Sequence, residues 1–216
     1  MRRWYVASVA AALVVGVAVG VVLHGRLAAN GAAAERLALP ALHGEATWAR
    51  GARPAPQFAL RDQQGRVVRL DALRGRSVAL LFMDSLCREA CPLEGRSIAA
   101  AIRAVPQRAR PTLVVVSVDP AGDTPRTIAR AGRKWGLPTG FEWLLGTRAQ
   151  LARVWRAYDI TVEPSSSDVV HSTAVYVLDR SGFERAGFLM PFIPGLVAQD
   201  LRVLDREVSG RVRSTG

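Results

Sequence analysis

Both cysteines of the chain, Cys87 and Cys91, lie in the short segment 84-DSLCREACPLEG-95, where three residues separate them and a proline follows. Such a pair could form a structural disulfide, cycle as a redox couple, or bind a metal ion together with further ligands. A structural disulfide is the least favoured, because the stabilisation from closing a loop is smallest when the loop is short. Redox chemistry and metal binding both remain open.

A metal site would need a third donor, and histidine is the natural candidate beside two thiolates. Two thiolates alone leave a tetrahedral zinc site half empty, whereas Cu(I) favours soft sulfur ligands and accepts few of them, so two cysteines and one imidazole would suit it. His24 ends an apolar segment and His43 lies in a predicted tether, so both are expected at an interface or in solvent. His171 opens a predicted strand after the polar loop 163–168. It could reach the cysteines if both loops belong to the functional edge of a sheet.

The cysteines stand between a predicted strand and a predicted helix. Residues 77–83 form an unbroken apolar run of strand length, which is typical of a strand buried on both faces. Pro92 opens a helix predicted to extend to residue 105, and proline disfavours helical geometry in the residue before it. We therefore predict Cys91 at the helix N-cap and Cys87 in the preceding loop. The helix dipole at this place favours a thiolate and acts to lower its pKa. Asp84, Glu89 and Glu94 oppose this effect, so the sequence alone does not give the net shift.

The rest of the chain predicts an α/β domain whose mixed sheet is covered on both faces. Strands and helices alternate along it, and Thr124 followed by Pro125 is the typical start of a helix. The predicted elements are a hairpin of 58–60 with 67–70, a strand at 112–118, a helix from 125, a strand at 141–145, a helix at 147–158, a hairpin of 172–178 with 186–190, and a helix from 195 to about 208.

The N-terminus predicts a single transmembrane helix. Arg2 and Arg3 precede 20 uncharged residues, 4–23, which as a helix would span about 30 Å, the thickness of a bilayer core. The arginines keep that end in the cytoplasm and the remainder on the far side. A cleaved signal peptide with a site at 32–34 is the alternative, but the apolar run is longer than a signal core usually is. The predicted division is an anchor over 1–24, a tether over 25–53, a folded domain over 54–208 and a basic tail over 209–216.

The charge of the chain points towards membranes rather than nucleic acids. The formal net charge is +11, and apart from Lys134 every basic side chain that carries it is an arginine. The arginines alternate with acidic residues, and no nucleic-acid-binding motif is present. We expect no nucleic-acid partner, and we expect a solvated basic surface that suits a nearby anionic membrane.

Four segments together resemble the Sco (SCO/SenC) family of membrane-anchored copper proteins. They are 58-FALRDQQGRVVRL-70, 87-CREACPL-93, 117-SVDPAGDTP-125 and 171-HSTAVYVLDRSG-182, in the family's order. The resemblance implies a thioredoxin-like fold and copper, as Cu(I) or Cu(II), bound by Cys87, Cys91 and His171.

Function and location are also implied by this resemblance. It implies a metallochaperone that delivers copper to the dinuclear copper site of cytochrome c oxidase. The alternative is a thiol–disulfide oxidoreductase whose catalytic redox pair, Cys87 and Cys91, keeps the cysteines of that site reduced. The implied partners are the copper-site subunit of the oxidase and other copper chaperones or a thiol reductant. The implied location is the bacterial plasma membrane, with a single span and the domain on the periplasmic side.

The sequence departs from the family pattern beside the cysteines. Asp84 and Ser85 stand where the family usually has Tyr-Thr, and Arg88 stands where it has proline. The Asp84 carboxylate could raise the pKa of the thiols or offer a hard oxygen to Cu(II), but capping the loop is its simpler role. A thioredoxin-fold peroxidase is disfavoured, because it needs threonine or serine where Asp84 stands.

Other residues that could bind a metal are assigned structural roles. Met83 and Met190 are expected to fill the core. Asp119 and Asp123 are expected to stabilise a turn and a helix start, so no second metal site is predicted there.

Overall fold

The computed structural model describes residues 41–164 and 169–214. The predicted anchor over 1–24 and the first part of the tether lie outside these residues. Within the described part of the chain, no helix is long and apolar enough to cross a membrane.

Strands and helices alternate along the described chain, much as the apolar runs predict. The strands are β1 Ala46–Thr47, β2 Ala59–Arg61, β3 Val67–Arg69, β4 Val78–Met83, β5 Thr112–Ser117, β6 Glu142–Leu144, β7 Val162–Pro164, β8 Val169–His171, β9 Ala174–Leu178 and β10 Glu184–Leu189. The helices are α1 Ala90–Arg103, α2 Pro125–Trp135, α3 Arg148–Ala157 and α4 Pro194–Ser214.

A mixed sheet forms the centre of the domain. Among the described residues its order is β1-β10-β9-β4-β5-β6. Strands β4, β5 and β6 run parallel, while β9 is antiparallel to both β4 and β10. Every residue of β4 and of β5 is buried, because elements cover both faces of the sheet.

Two apolar cores lie on opposite faces of this sheet. Alternate residues of β4 point to opposite faces, so Leu81 and Met83 join one core while Phe82 joins the other. Helices α1, α2 and α4 cover the first face, and α3 with the β2–β3 hairpin covers the second. Met83 is fully buried, as expected of a core residue.

The start of the domain lies earlier in the chain than the sequence suggested. Strand β1 pairs with β10 at the sheet edge, although residues 41–53 were assigned to the tether. The backbone N–H of His43 donates to the buried Asp200 carboxylate at 3.0 Å, and its Nδ1 lies 2.7 Å from Asp200 Oδ1. A strand of two residues has no recognisable periodicity, so the sequence could not reveal it.

The end of the chain also differs from the expectation. Residues 209–216 were predicted to be a basic tail, but α4 continues without a break through Ser214. The apolar spacing that predicts a helix ends near residue 208, and beyond it the sequence signals only charge.

Candidate metal centre

The loop after β4 and the first turn of α1 position the two cysteines. Helix α1 begins at Ala90 with Glu89 as its N-cap. Cys91 is therefore the second residue of the helix. The prediction from Pro92, which placed Cys91 at the N-cap, is wrong by two residues. Pro92 fits at the third position because the N–H groups of the first turn have no acceptor within the helix. Cys87 remains in the loop, as predicted.

The two sulfurs are close to one another, and His171 is close to the second. The backbone N–H of Cys91 donates to Cys87 Sγ at 3.4 Å. His171 Nε2 lies 3.9 Å from Cys91 Sγ. Both cysteines are thiols and are not joined by a disulfide. Cys91 is fully buried, whereas Cys87 and His171 are partly exposed.

A small hairpin that the sequence did not reveal carries His171. Strands β7 and β8 pair with Val162 opposite His171, in a region predicted to be a polar loop leading into a strand. His171 Nδ1 lies 3.0 Å from the carbonyl oxygen of Ser172. A carbonyl can only accept, so Nδ1 carries the proton and the lone pair of Nε2 is available towards Cys91. This is the tautomer and orientation that a metal-binding histidine needs.

The environment of Cys91 opposes its ionisation. Its hydrogen bond with Cys87 and its burial raise the pKa of the Cys91 thiol well above the usual range. The helix dipole acts in the opposite direction but does not compensate for the loss of water around a buried thiolate. A cation at the site, or oxidation to a disulfide, would remove this penalty.

Asp123 holds the cysteine loop in place. Its Oδ1 accepts from the backbone N–H of Ser85 at 2.8 Å, and its Oδ2 accepts from Trp143 Nε1 at 2.9 Å. Ser85 also donates its hydroxyl to Thr127 Oγ1 at 2.9 Å. Thr124, which follows Asp123 in the chain, caps α2 as predicted. Sequence reasoning placed Asp123 in a turn and missed its link to the loop of Cys87.

Asp84 caps the loop, which is the simplest of the roles expected for it. Its Oδ1 accepts from the backbone N–H of Leu86 at 2.7 Å, which closes the turn before Cys87. Burial raises the pKa of Asp84 to about 7, and the neighbouring charges of Asp123, Asp119 and Cys87 act in the same direction. Near neutral pH the Asp84 carboxyl is therefore only partly ionised, and it adds less than a full negative charge beside the thiols.

The donors are gathered but do not yet enclose a metal ion. Within residues 41–164 and 169–214, no group of three His, Cys, Asp or Glu side chains is close enough together to hold a metal ion. A cleft of about 1120 Å³ opens beside Cys87, and Arg130, Lys134 and Val169 contribute to its walls. This cleft gives access to the Cys87 side of the site.

Glu94 gives a prediction about stability. It is fully buried on α1 one turn after Cys91, and both carboxylate oxygens lack a hydrogen-bond partner among the described residues. Burial, followed by the charge of Cys87, raises the pKa of Glu94 from 4.5 to about 8. Because the unfolded state ionises first, the free energy of unfolding should decrease as the pH rises from about 4.5 to 8, by a few kcal/mol in order of magnitude.

Glu94→Gln should remove much of this dependence. Urea unfolding of the reduced full chain, followed by tryptophan fluorescence between pH 5 and 9, measures it. The control is Glu89→Gln, since Glu89 is an exposed residue at the start of the same helix. Equal pH slopes for the wild type and Glu94→Gln would show that Glu94 does not titrate in the folded state as described.

Comparisons with known proteins indicate a family for this chain. The sequence profile of the SCO1/SenC family matches residues 48–202. A protein of Stutzerimonas stutzeri, named for a proposed copper-binding role, is 27% identical over 163 residues, covering 72% of this chain and 79% of that protein.

Solved structures of Sco proteins share the fold. The copper-bound ScoI of Bradyrhizobium japonicum is 27% identical with a TM-score of 0.60, covering 70% of this chain and 98% of that chain. The copper-bound ScoI of Arabidopsis thaliana is 22% identical with a TM-score of 0.63, covering 71% and 98%. The mixed α/β, thioredoxin-like fold predicted from the sequence is thereby confirmed.

Proposed function

The chain belongs to the SCO1/SenC family, and from this premise we propose that it binds copper through Cys87, Cys91 and His171. The observation that carries the proposal is the approach of His171 Nε2 to Cys91 Sγ at 3.9 Å, with the proton of the imidazole held on Nδ1. A dithiol reductase has no use for such a histidine. Copper bound to relatives of this fold supports the same assignment.

The chemistry of the three donors suits copper. On binding Cu(I), both thiols lose their protons to solvent and the two sulfurs bind the ion as thiolates. The positive charge compensates for the cost of ionising the buried Cys91. The neutral imidazole of His171 completes a site of two soft donors and one nitrogen, which can hold Cu(I) and also Cu(II).

We further propose that the cargo is passed to the dinuclear copper site of cytochrome c oxidase. Exposed apolar side chains stand beside the donors: Leu86 is 52% exposed, Leu93 56% and Val170 59%. Apolar side chains around a metal site suit contact with another protein, because association removes them from water. The second candidate, reduction of the cysteines of that copper site, is favoured by the closeness of the two cysteines and the partial exposure of Cys87.

The predicted anchor sets the proposed location. We propose that residues 4–23 span the bacterial plasma membrane once and place the domain on the periplasmic side, where the oxidase exposes its copper site. Recovery of the protein free of membranes, with a mature N-terminus after residue 34, would contradict this location.

Copper transfer separates the two candidate activities. The reduced full chain, loaded with Cu(I), is mixed with the copper-free, reduced copper-site domain of the oxidase, and the copper in each protein is measured after separation. We expect the copper to move to the acceptor. In a parallel mixture, the copper-free dithiol chain is incubated with an acceptor whose cysteines are oxidised, and the thiols of the acceptor are measured. If thiols appear on the acceptor while no copper moves in the first mixture, the protein is a reductase instead.

A further inference from the structure

A second cleft lies away from the cysteines. The cysteine loop follows the carboxyl end of β4, whereas this cleft is bordered by Ser77, which precedes β4, and by Thr112, which begins β5. Its volume is about 570 Å³. It therefore opens at the end of the parallel strands opposite to the proposed copper site, and the function proposed above makes no use of it.

Positive charge dominates the walls of this cleft. Among the described residues that line it are Arg76, Arg108, Arg110 and Arg180. Arg108 and Arg180 share the carboxylate of Asp205, each at 3.1 Å. Arg76 and Arg110 form no ion pair within the described ranges, although Arg110 Nε donates to the Val105 carbonyl at 3.4 Å and the charge of Arg76 acts on Glu142. Guanidinium groups that gather are usually matched by carboxylate or phosphate.

Two buried polar atoms in the same walls have no partner. Thr112 is 9% exposed, and its hydroxyl makes no hydrogen bond within the described residues. Oε2 of Glu142 is likewise buried without a partner. Burial raises the pKa of Glu142, while the charges of Arg66 and Arg76 act in the opposite direction. Buried polar groups are nearly always satisfied in proteins, so the unpartnered Thr112 hydroxyl in this basic cleft indicates a missing polar ligand. The Glu142 oxygen only accepts hydrogen bonds and does not contribute to binding an anion.

We propose that this cleft binds a phosphate group. The guanidinium groups of Arg76 and Arg110 can each donate two hydrogen bonds to phosphate oxygens, and the Thr112 hydroxyl can donate a further one. The phosphate could belong to a small soluble molecule or to the headgroup of an anionic phospholipid, since the chemistry of recognition is the same.

The test uses the reduced, copper-free full chain in nanodiscs made of phosphatidylcholine alone. Inorganic phosphate is the probe, and its affinity is measured by calorimetric titration. We expect binding that weakens at least roughly tenfold in the Arg76→Gln/Arg110→Gln variant and severalfold in Thr112→Val. The matched control is Arg153→Gln/Arg156→Gln. It removes the same charge from exposed positions of α3 that do not line the cleft, and it should leave the affinity unchanged within about twofold.

Nanodiscs that also contain phosphatidylglycerol distinguish a lipid headgroup from a soluble phosphate as the occupant of the cleft. If lipid headgroups occupy the cleft, the affinity of the wild type for inorganic phosphate falls in these discs. If the site takes a soluble phosphate, the affinity is the same in both kinds of disc. No phosphate binding in phosphatidylcholine discs, or an equal loss in the α3 control, would overturn the proposal. The copper site can be measured independently on the same variants, because none of them alters it.

Discussion

Oxidation of Cys87 and Cys91 to a disulfide is expected to expel copper completely, from about one ion per chain to almost none. Both sulfurs must be thiolates to bind the ion, and a disulfide offers neither. The pair is well placed for this switch, because the backbone N–H of Cys91 already donates to the sulfur of Cys87. Each sulfur gives up one electron to the added oxidant as the S–S bond forms.

The measurement is copper content after gel filtration of the copper-loaded full chain, with and without treatment with diamide. Addition of a phosphine reductant to the oxidised, copper-free sample should restore full uptake. The Cys91→Ser variant lacks one sulfur ligand and cannot form the bond, so it should hold little copper with or without diamide. Copper retained in full by a chain whose disulfide has been verified by mass spectrometry would contradict a thiolate site.

Replacing His171 by alanine is expected to separate metal binding from thiol chemistry. We expect the affinity for Cu(I) to fall roughly tenfold and that for Cu(II) much more, because Cu(I) can still use two soft sulfurs. The reduction potential of the Cys87–Cys91 pair should move by less than about 30 mV, because the imidazole is not part of the disulfide.

The control is His43→Ala, in which the histidine removed contacts Asp200 on α4 and not the cysteines. Copper affinity is measured by competition with chelators of known strength, and the potential by equilibration with glutathione on the same preparations. An unchanged affinity together with lost thiol reductase activity would replace the copper assignment with the enzymatic one.

The sequence predicted the sheet well where burial leaves a strong pattern. The runs at 77–83 and 112–118 predict β4 and β5 because strands covered on both faces must be apolar throughout. Short edge elements leave no such pattern. Strand β1 depends on its pairing with β10, and the β7–β8 hairpin depends on pairing across polar residues, so neither was predicted.

The candidate ligands came from the family resemblance, which selected Cys87, Cys91 and His171. The structure places His171 Nε2 3.9 Å from Cys91 Sγ. The direction of the Cys91 pKa shift was not predictable, since it depends on burial that arises only in the folded domain. The link from Asp123 to Ser85 joins segments 38 residues apart. Only turn and capping roles were predicted for Asp119 and Asp123, so nothing in the sequence signalled this contact.

The ligand set of the bound copper tests the central proposal most directly. X-ray absorption at the copper edge is recorded on the reduced full chain loaded with Cu(I), and on its His171→Ala variant. We predict two sulfur ligands and one nitrogen ligand from imidazole in the wild type, and loss of the imidazole signal in the variant. A shell of sulfur alone in the wild type, or an imidazole signal that persists without His171, would contradict the proposed centre.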